Sequence, residues 1–468
     1  MTKKIFLGFI TYCLMLTAFS VLSTEVSAQK KPSKKDLRAA EKLTQEGNKF
    51  FVAKDYRQAI DKYAEAIVVV PEYADAHFWK GYSHYHLKEY DLALTEANLA
   101  EQYKYNKPLE IYKLRWFLNY QKKDYDAAMA DVDKGLQLAP ADLTMIMAQG
   151  DISRAKNDHQ NALVAYKKAS QANPSSGDLA YLIALSQFNL GQHQEQAITA
   201  AEAIKKGTKY VGEAYFLIGD AFHKDKKYNE ALDSYRQALA SKDNIYEIYG
   251  AMADIYRNQS RYTDAIEISR RGLNVYPNDG NILTNLSWYY SLANKHFDAI
   301  QAAQEATKVL PNQSLAYTNL CRAYNDTKQY ALAISACNKA LEISPNDGET
   351  NFYLGYAYTL LNRPTEAAKY YPKAVAGLED FTKNNPDDSE GFYLLGNAYT
   401  SNGQYEKAVE AYKKSLEMSP RFTKARYNLG SLYKFLNKQD LANEQYAALL
   451  DLDKTLAAKL KEVIDKKN

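Results

Sequence analysis

The sequence is poor in the signals that carry chemistry. It has no Gly-rich phosphate loop, no zinc-protease helix motif and no nucleophile elbow. No catalytic residue can be assigned, so the expectation is a protein that is not an enzyme and takes no cofactor. Histidine is scarce as well. Three of the seven, His77, His84 and His86, cluster, but helical spacing sets His84 and His86 on different faces, so no metal site is expected. They read as polar, half-buried neighbours of Trp79. Charge of one sign is also missing: 59 Lys and Arg stand against 56 Asp and Glu, a net of +3. A nucleic-acid surface would call for a basic stripe, and the balance argues against one.

Tyrosine, by contrast, is abundant, at 40 residues. The stretch from Glu390 to Pro420, EGFYLLGNAYTSNGQYEKAVEAYKKSLEMSP, shows how they are used. Phe392, Leu395, Gly396 and Tyr399 recur at helical spacing on one face of a first helix. Asn402-Gly403 ends it, because glycine takes the left-handed conformation a helix end often needs. A second helix carries Ala408, Tyr412 and Ser415, and Pro420 blocks its continuation. Small Gly396 and Ala408 are expected to let the antiparallel helices approach, with Tyr399 and Tyr412 filling the space around that contact.

This order of aromatic, Leu-Gly, aromatic, then Ala, aromatic, small and Pro resembles the tetratricopeptide repeat, a helix-turn-helix of 34 residues. The pattern returns about twelve times, from Leu43, Gly47, Phe50, Ala59 and Tyr63 to Leu429, Gly430, Tyr433, Ala442 and Tyr446. Most copies begin 34 residues apart, two steps are one residue longer and one is grossly irregular. The third copy has Trp116 near its small site, and the fifth offers no clean small residue before Phe188. The implied fold is all-α: an α-solenoid superhelix of stacked antiparallel helix pairs, spanning residues 40–454.

The ends differ from the array. Lys3 and Lys4, an apolar run from Ile5 to Leu22 and small Val26-Ser27-Ala28 have the layout of a secretory signal peptide, residues 1–28. The alternative is an uncleaved anchor, its run of about 18 residues at the lower edge for spanning and weakened by Thr11, Tyr12, Thr17 and Ser20. An exported product is expected, periplasmic or secreted, touching a membrane only through that segment. Residues 29–39 read as a basic linker and the start of the first helix. In the tenth copy Pro372 falls inside the second helix, where a kink is expected, and an insertion follows near 375–388. Residues 455–468 read as a capping helix, with Leu456, Leu460, Val463 and Ile464 on one face. Cys321 takes the small site of the ninth copy and is expected to face Ala333. Cys337 would then be a helical turn away, and the pair is expected to remain two buried thiols.

In the family, the first helices line an inner groove that binds extended peptides or partner helices. Carried over, the groove here would be lined by Phe78, Tyr82, Tyr85, Phe117 and Tyr120. These are followed by Asp151, Arg154, Asp220, His223, Asp254 and Arg257, alternating in sign. Further on come Asn285, Asn319, Arg322, Tyr356, Tyr393, Asn397, Tyr427 and Asn428. Two groove chemistries of the family fail on residue identity. The carboxylate clamp is absent, since Lys113 is followed one turn on by Phe117 and Asn48 is preceded by Thr44. Of an asparagine ladder only Asn285, Asn319 and Asn428 remain. The resemblance thus implies a non-catalytic scaffold of the cell envelope that binds a protein or extended peptide. The alternative is a carbohydrate or cell-wall-glycan binder using the aromatic stripe.

Overall fold

A computed structural model describes residues 31–466, so the signal or anchor segment lies outside the described residues. Every element among them is a helix. The chain forms two compact units divided after Ala172. The first contains four antiparallel pairs, from Lys34–Val52 with Tyr56–Val69 to Leu143–Ala155 with His159–Ala172. The second contains eight pairs, beginning with Gly177–Asn189 and His193–Lys205, and ends on the single helix Lys454–Asp465. The first helix starts at Lys34, where Ser33 and Asp36 cap each other's backbone amides reciprocally.

Each hairpin turns through one residue of left-handed backbone. Gly403 does this at φ 74°, but most pairs use other residues: Lys54, Lys88, Lys123, Lys226 and Lys328, or Asn157, Asn294, Asn362 and Asn437. Asparagine tolerates that region, and lysine accepts its strain where the next helix must begin at once.

The pairs close on one recurring contact. The small residue of the first helix meets the residue sixteen positions later on the second. A Cβ placed on Gly47, Gly150, Gly219 or Gly396 would lie 2.5 or 2.6 Å from the ring of Tyr63, Tyr166, Tyr235 or Tyr412 respectively. Only glycine leaves room for that ring. Tyrosine, not the alanine of the second helix, is therefore what Gly396 faces, a correction to the sequence reading; Ala408 is buried elsewhere in the same core.

The same register explains the irregular copies. In the third pair, Pro108–Gln121 with Tyr125–Leu138, the site belongs to Arg115 rather than Trp116, and Arg115 forks onto Asp131 sixteen residues on. In the fifth pair Ala184 and Ala200 occupy the two positions, both fully buried, so its small residue is four places before Phe188.

In the ninth pair, Ser314–Asp326 with Tyr330–Ile343, the two positions are Cys321 and Cys337, and they form a disulfide with Cα atoms 5.2 Å apart. The expectation of two free thiols is overturned. The turn is centred near residue 328, so the level opposite Cys321 is residue 335, and Cys337 lies only about 3 Å along the axis from it. Inward-facing Cα atoms also sit about 2.3 Å inside each helix axis. An interaxial distance of about 8–10 Å then leaves about 3–5 Å between them. Both corrections bring the pair within disulfide reach.

The tenth pair departs most. Its second helix divides into Pro364–Ala367 and Tyr371–Asn384, and Pro372 stands in the first turn of the latter. Proline there lacks only an amide that no helix bond needs, so the helix restarts instead of kinking. The inserted residues lengthen this helix as far as Asn384. At the end of the chain Ala457, Leu460 and Ile464 are buried, and Leu460 covers Gly430.

Two outcomes follow from this packing. Peptide mapping without reductant should recover Cys321 and Cys337 as a linked pair, and Cys321→Ala should cost about 2–3 kcal/mol, as for a loop of about 15 residues. Recovery of both as free thiols would refute the pairing. Gly396→Leu would drive its side chain into Tyr412 and cost about 1–3 kcal/mol. By hydrogen exchange, protection should fall in pairs ten to twelve while pair five keeps its own; uniform loss through the second unit would contradict local stacking.

Candidate functional site

Because most pairs close in the same register, a given offset from the small residue points the same way in successive pairs. In the second unit the first helices of pairs eight to twelve turn such rows inward around a cavity of about 650 Å³. These helices are Gly280–Leu292, Ser314–Asp326, Gly348–Leu360, Ser389–Ser401 and Thr423–Phe435. One row is the residue immediately after the small site: Trp288, Arg322, Tyr356, Asn397 and Ser431 all line the cavity. A second row lies six residues before it, in the first turn of the helix, and supplies Glu349, Glu390 and Lys424. Of these, Glu390 and Lys424 line the cavity directly.

The charges here are buried and mostly paired. Arg322 holds Glu349 at 3.2 Å and donates to Asn319 Oδ1 at 2.7 Å. Its guanidinium also lies near the rings of Trp288 and Tyr353, 5.9 Å from each centroid. Arg257, on Tyr246–Asn258 of pair seven, sits 4.8 Å over Trp288 and reaches Glu390 of pair eleven at 3.4 Å. Pairs seven and eleven are thus joined across the inner side of this unit, and Lys226 with Asp387 at 3.6 Å makes a second such bridge. Burial pushes the Glu349 carboxyl up to about 7 against the pull of Arg322, with Asp347 and Glu390 adding to the rise. Burial likewise raises Glu390 and lowers Lys424.

The sequence-predicted residues divide into three groups. Arg322, Tyr356, Tyr393, Asn397 and Asn428 are brought together at the cavity. Tyr412 donates to Asn397 Oδ1 at 2.7 Å, and Asn428 Nδ2 donates to the same oxygen at 2.7 Å. Asn319 is buried beside them, donating to the Thr284 carbonyl at 2.9 Å, while Arg257 forms the cross-bridge. Asn285 and Tyr427 are half-buried outside the cavity lining.

A second group serves packing within a pair or between neighbouring pairs. Tyr166 donates to Asp151 at 2.7 Å with Arg154 alongside at 3.3 Å from the same hydroxyl, and Tyr289 donates to Asp254 at 3.3 Å. Asp220 accepts from Gln196 at 3.4 Å, and His223 lies edge-on to Tyr228.

The third group is the aromatic stripe of the first unit, which forms a continuous ring ladder. Phe78 stacks on Tyr82 at 5.9 Å, Tyr82 on Tyr85 at 5.5 Å, and Phe117 meets Tyr85 edge-on at 5.3 Å. Tyr120 adjoins Trp116 at 6.1 Å. The histidines nearby are each engaged: His77 with Glu96 at 2.6 Å, His84 with Glu89 at 2.7 Å, and His86 stacked on Tyr56 at 4.6 Å.

Sequence reasoning missed Trp288, Tyr353, Asp326, Glu349, Glu390 and Lys424. Trp288 was within reach, since it follows Ser287 as Arg322 follows Cys321. The glutamates and Lys424 lie in first turns, where acidic or polar residues read as ordinary helix starts.

Helical hairpins stacked in one register, each closed by a small residue on the first helix and presenting an inward first-helix face, define an α-solenoid repeat protein. The comparisons place it more narrowly. The family described as Tetratricopeptide repeat matches residues 44–107, 147–211, 212–244, 246–279, 314–347, 378–410 and 423–456, and a further TPR repeat match covers 396–437. The chain is built of tetratricopeptide repeats.

Similar proteins include small glutamine-rich tetratricopeptide repeat-containing protein 2 of Saccharomyces cerevisiae, 34% identical over 124 residues, which covers 21% of this chain and 36% of that protein. A DnaJ homolog subfamily C member 7 homolog of Dictyostelium discoideum is 25% identical over 208 residues, 42% of this chain and 38% of that one. The chain therefore spans less than two fifths of either relative. Among solved structures, a tetratricopeptide repeat protein from Parabacteroides merdae is 16% identical with a TM-score of 0.44, covering 54% of this chain and 97% of that one. Proteins of this repeat family generally mediate protein–protein interaction and are typically non-catalytic scaffolds.

The raised Glu349 carboxyl has a consequence for stability. Its native pKa of about 7 lies above its ordinary 4.5, so the native state holds this proton more tightly. The stabilisation is complete below about pH 4 and is lost as pH rises through about 7. Between pH 5 and 8, Glu349→Gln should gain roughly 1–2 kcal/mol relative to the parent chain, a figure reduced for partial exposure. Urea unfolding at several pH values reads this, and a difference that stays flat across the range would show an unperturbed carboxyl.

Proposed function

We propose that the protein is a non-catalytic scaffold of the cell envelope that captures a polypeptide on the inward face of its second unit. The observation that carries this is the cavity wall itself. Five successive pairs contribute one residue each from the same register, and those residues are a tryptophan, an arginine, a tyrosine, an asparagine and a serine. Rigid rings bury apolar area at low entropic cost, while amide and guanidinium groups fix a backbone by hydrogen bonds. Tyr356 remains 38% exposed there, a large ring with no packing reason to face solvent.

An envelope location is supported by the Cys321–Cys337 disulfide, since disulfides persist in oxidising compartments. The layout of residues 1–28 supports it too. The glycan alternative draws less support, because the rings of the first-unit ladder spend their faces on one another.

A photo-crosslinking residue tests the reading in the native envelope. Placed at Tyr356 or Tyr393, it should trap a polypeptide that is not trapped from position 297 on the second helix of pair eight, where Phe297 is 79% exposed. Trapping from position 297 alone would move the binding surface to the outer face and sink the proposal.

A further inference from the structure

Two ion pairs in the second unit skip the repeats between their partners. Arg257 of pair seven meets Glu390 of pair eleven at 3.4 Å, with side chains 15% and 14% exposed. Lys226, in the turn of pair six, meets Asp387, just ahead of pair eleven, at 3.6 Å, and these are 69% and 84% exposed. The second contact is open to water and adds little, whereas the first is nearly dry.

In the dry contact two large effects oppose each other. The charges attract, and Arg257 gains further from the Trp288 ring 4.8 Å away. Stripping water from both groups offsets most of that attraction. Burial pushes the Glu390 carboxyl up in spite of the pull of Arg257. Drawn fully apart, both groups would regain water; half-way apart, neither partner nor water would serve them. A contact with two favourable ends and a poor middle has two states.

The stack between those ends has one discontinuity. Among the second helices of this unit only that of pair ten is in two pieces, Pro364–Ala367 and Tyr371–Asn384. Residues 368–370 join them as turns, and Pro372 has no amide to offer the Ala368 carbonyl. A helix interrupted in this way can bend where its neighbours are continuous rods.

We infer that the second unit opens and closes about pair ten, with Arg257 and Glu390 as its latch, and that this movement governs entry to the cavity. Glu390 belongs to the cavity wall, and Arg257 lies over Trp288, another wall residue. Parting the latch therefore uncovers the wall from that side. The inference uses the geometry of the cavity and holds for whatever enters it.

The exposed contact reports the state of the latch. A carbodiimide joins a lysine amine to a carboxylate that it touches, so in the full chain it should link Lys226 to Asp387 when the unit is closed. Lys242 and Glu213 of pair six, 2.6 Å apart, give an internal reference. Relative to that reference, Glu390→Gln and Arg257→Met should each lower the Lys226–Asp387 link by about threefold or more. If Arg257→Met fails to fold, the reference link falls with it and Glu390→Gln still decides.

A second readout leaves the latch residues unchanged. Linking Lys226 to Asp387 should slow amide exchange at residues 368–370 by about tenfold. Exchange in Tyr330–Ile343, the unbroken second helix of pair nine, should stay as it was. With Trp79→Phe and Trp116→Phe leaving Trp288 as the one tryptophan, the link should also cut its quenching by acrylamide roughly by half. Equal linking in both variants and the parent chain overturns the latch. Slowing spread evenly over pairs seven to eleven, or unchanged quenching, overturns the hinge or the control of entry, and the inference with it. Trapping of a polypeptide at Tyr356 is read separately and does not depend on these outcomes.

Discussion

The structure depends on how closely the two helices of each pair can approach, and that distance is set by one pair of side chains sixteen residues apart. Where the first is glycine, the second is usually a tyrosine whose ring lies against the bare backbone. Where neither is large, as with Ala184 and Ala200 or Ser287 and Ala303, the site is small on both sides. Arg115 with Asp131 fills the same space with a fork-shaped ion pair, and Cys321 with Cys337 fills it with a covalent bond. These are different chemistries for one separation. Close packing punishes both a void and an excess of atoms, so the two positions vary together and the pair geometry persists.

That coupling decides what the sequence reveals. A glycine four residues after one aromatic and three before another is visible wherever it occurs, and the phase it sets runs through most of the chain. The exchange of glycine and tyrosine for arginine and aspartate hides it, because neither residue type signals a helix contact on its own. Trp116 drew attention as the bulky residue, although Arg115 stands at the contact. The disulfide was misjudged for a geometric reason. An offset of one helical turn overstates the gap, because facing Cα atoms lie well inside the helix axes.

The inner wall was legible where it followed the small residue, as at Arg322, Tyr356 and Asn397. It was not legible at Glu349, Glu390 and Lys424. The partner of Glu349 comes from the neighbouring pair and that of Glu390 from four repeats away, and a single sequence shows no such pairing. Asp151, Asp220 and Asp254 carry packing contacts that the sequence does not show. Their regular spacing suggested a ligand-facing row, yet Asp151 and Asp254 accept from buried tyrosines and Asp220 accepts from Gln196.

A stack of repeats ordinarily couples only neighbours, so its stability is a sum of local terms. The second unit does not fit that description fully. Arg257 and Glu390 are 15% and 14% exposed, and their bridge spans from pair seven to pair eleven. An ion pair that dry is a poor source of stability, since stripping water from both charges offsets most of their attraction. Its effect is on specificity of arrangement. Separating pairs seven and eleven would leave each charge partly buried without its partner, a state worse than either full burial or full exposure. Pairs eight, nine and ten lie between the two ends of this bridge and share the cavity wall with pairs eleven and twelve. The bridge therefore ties the two sides of this wall by charge, while Trp288 and Tyr356 between them turn their rings to the cavity.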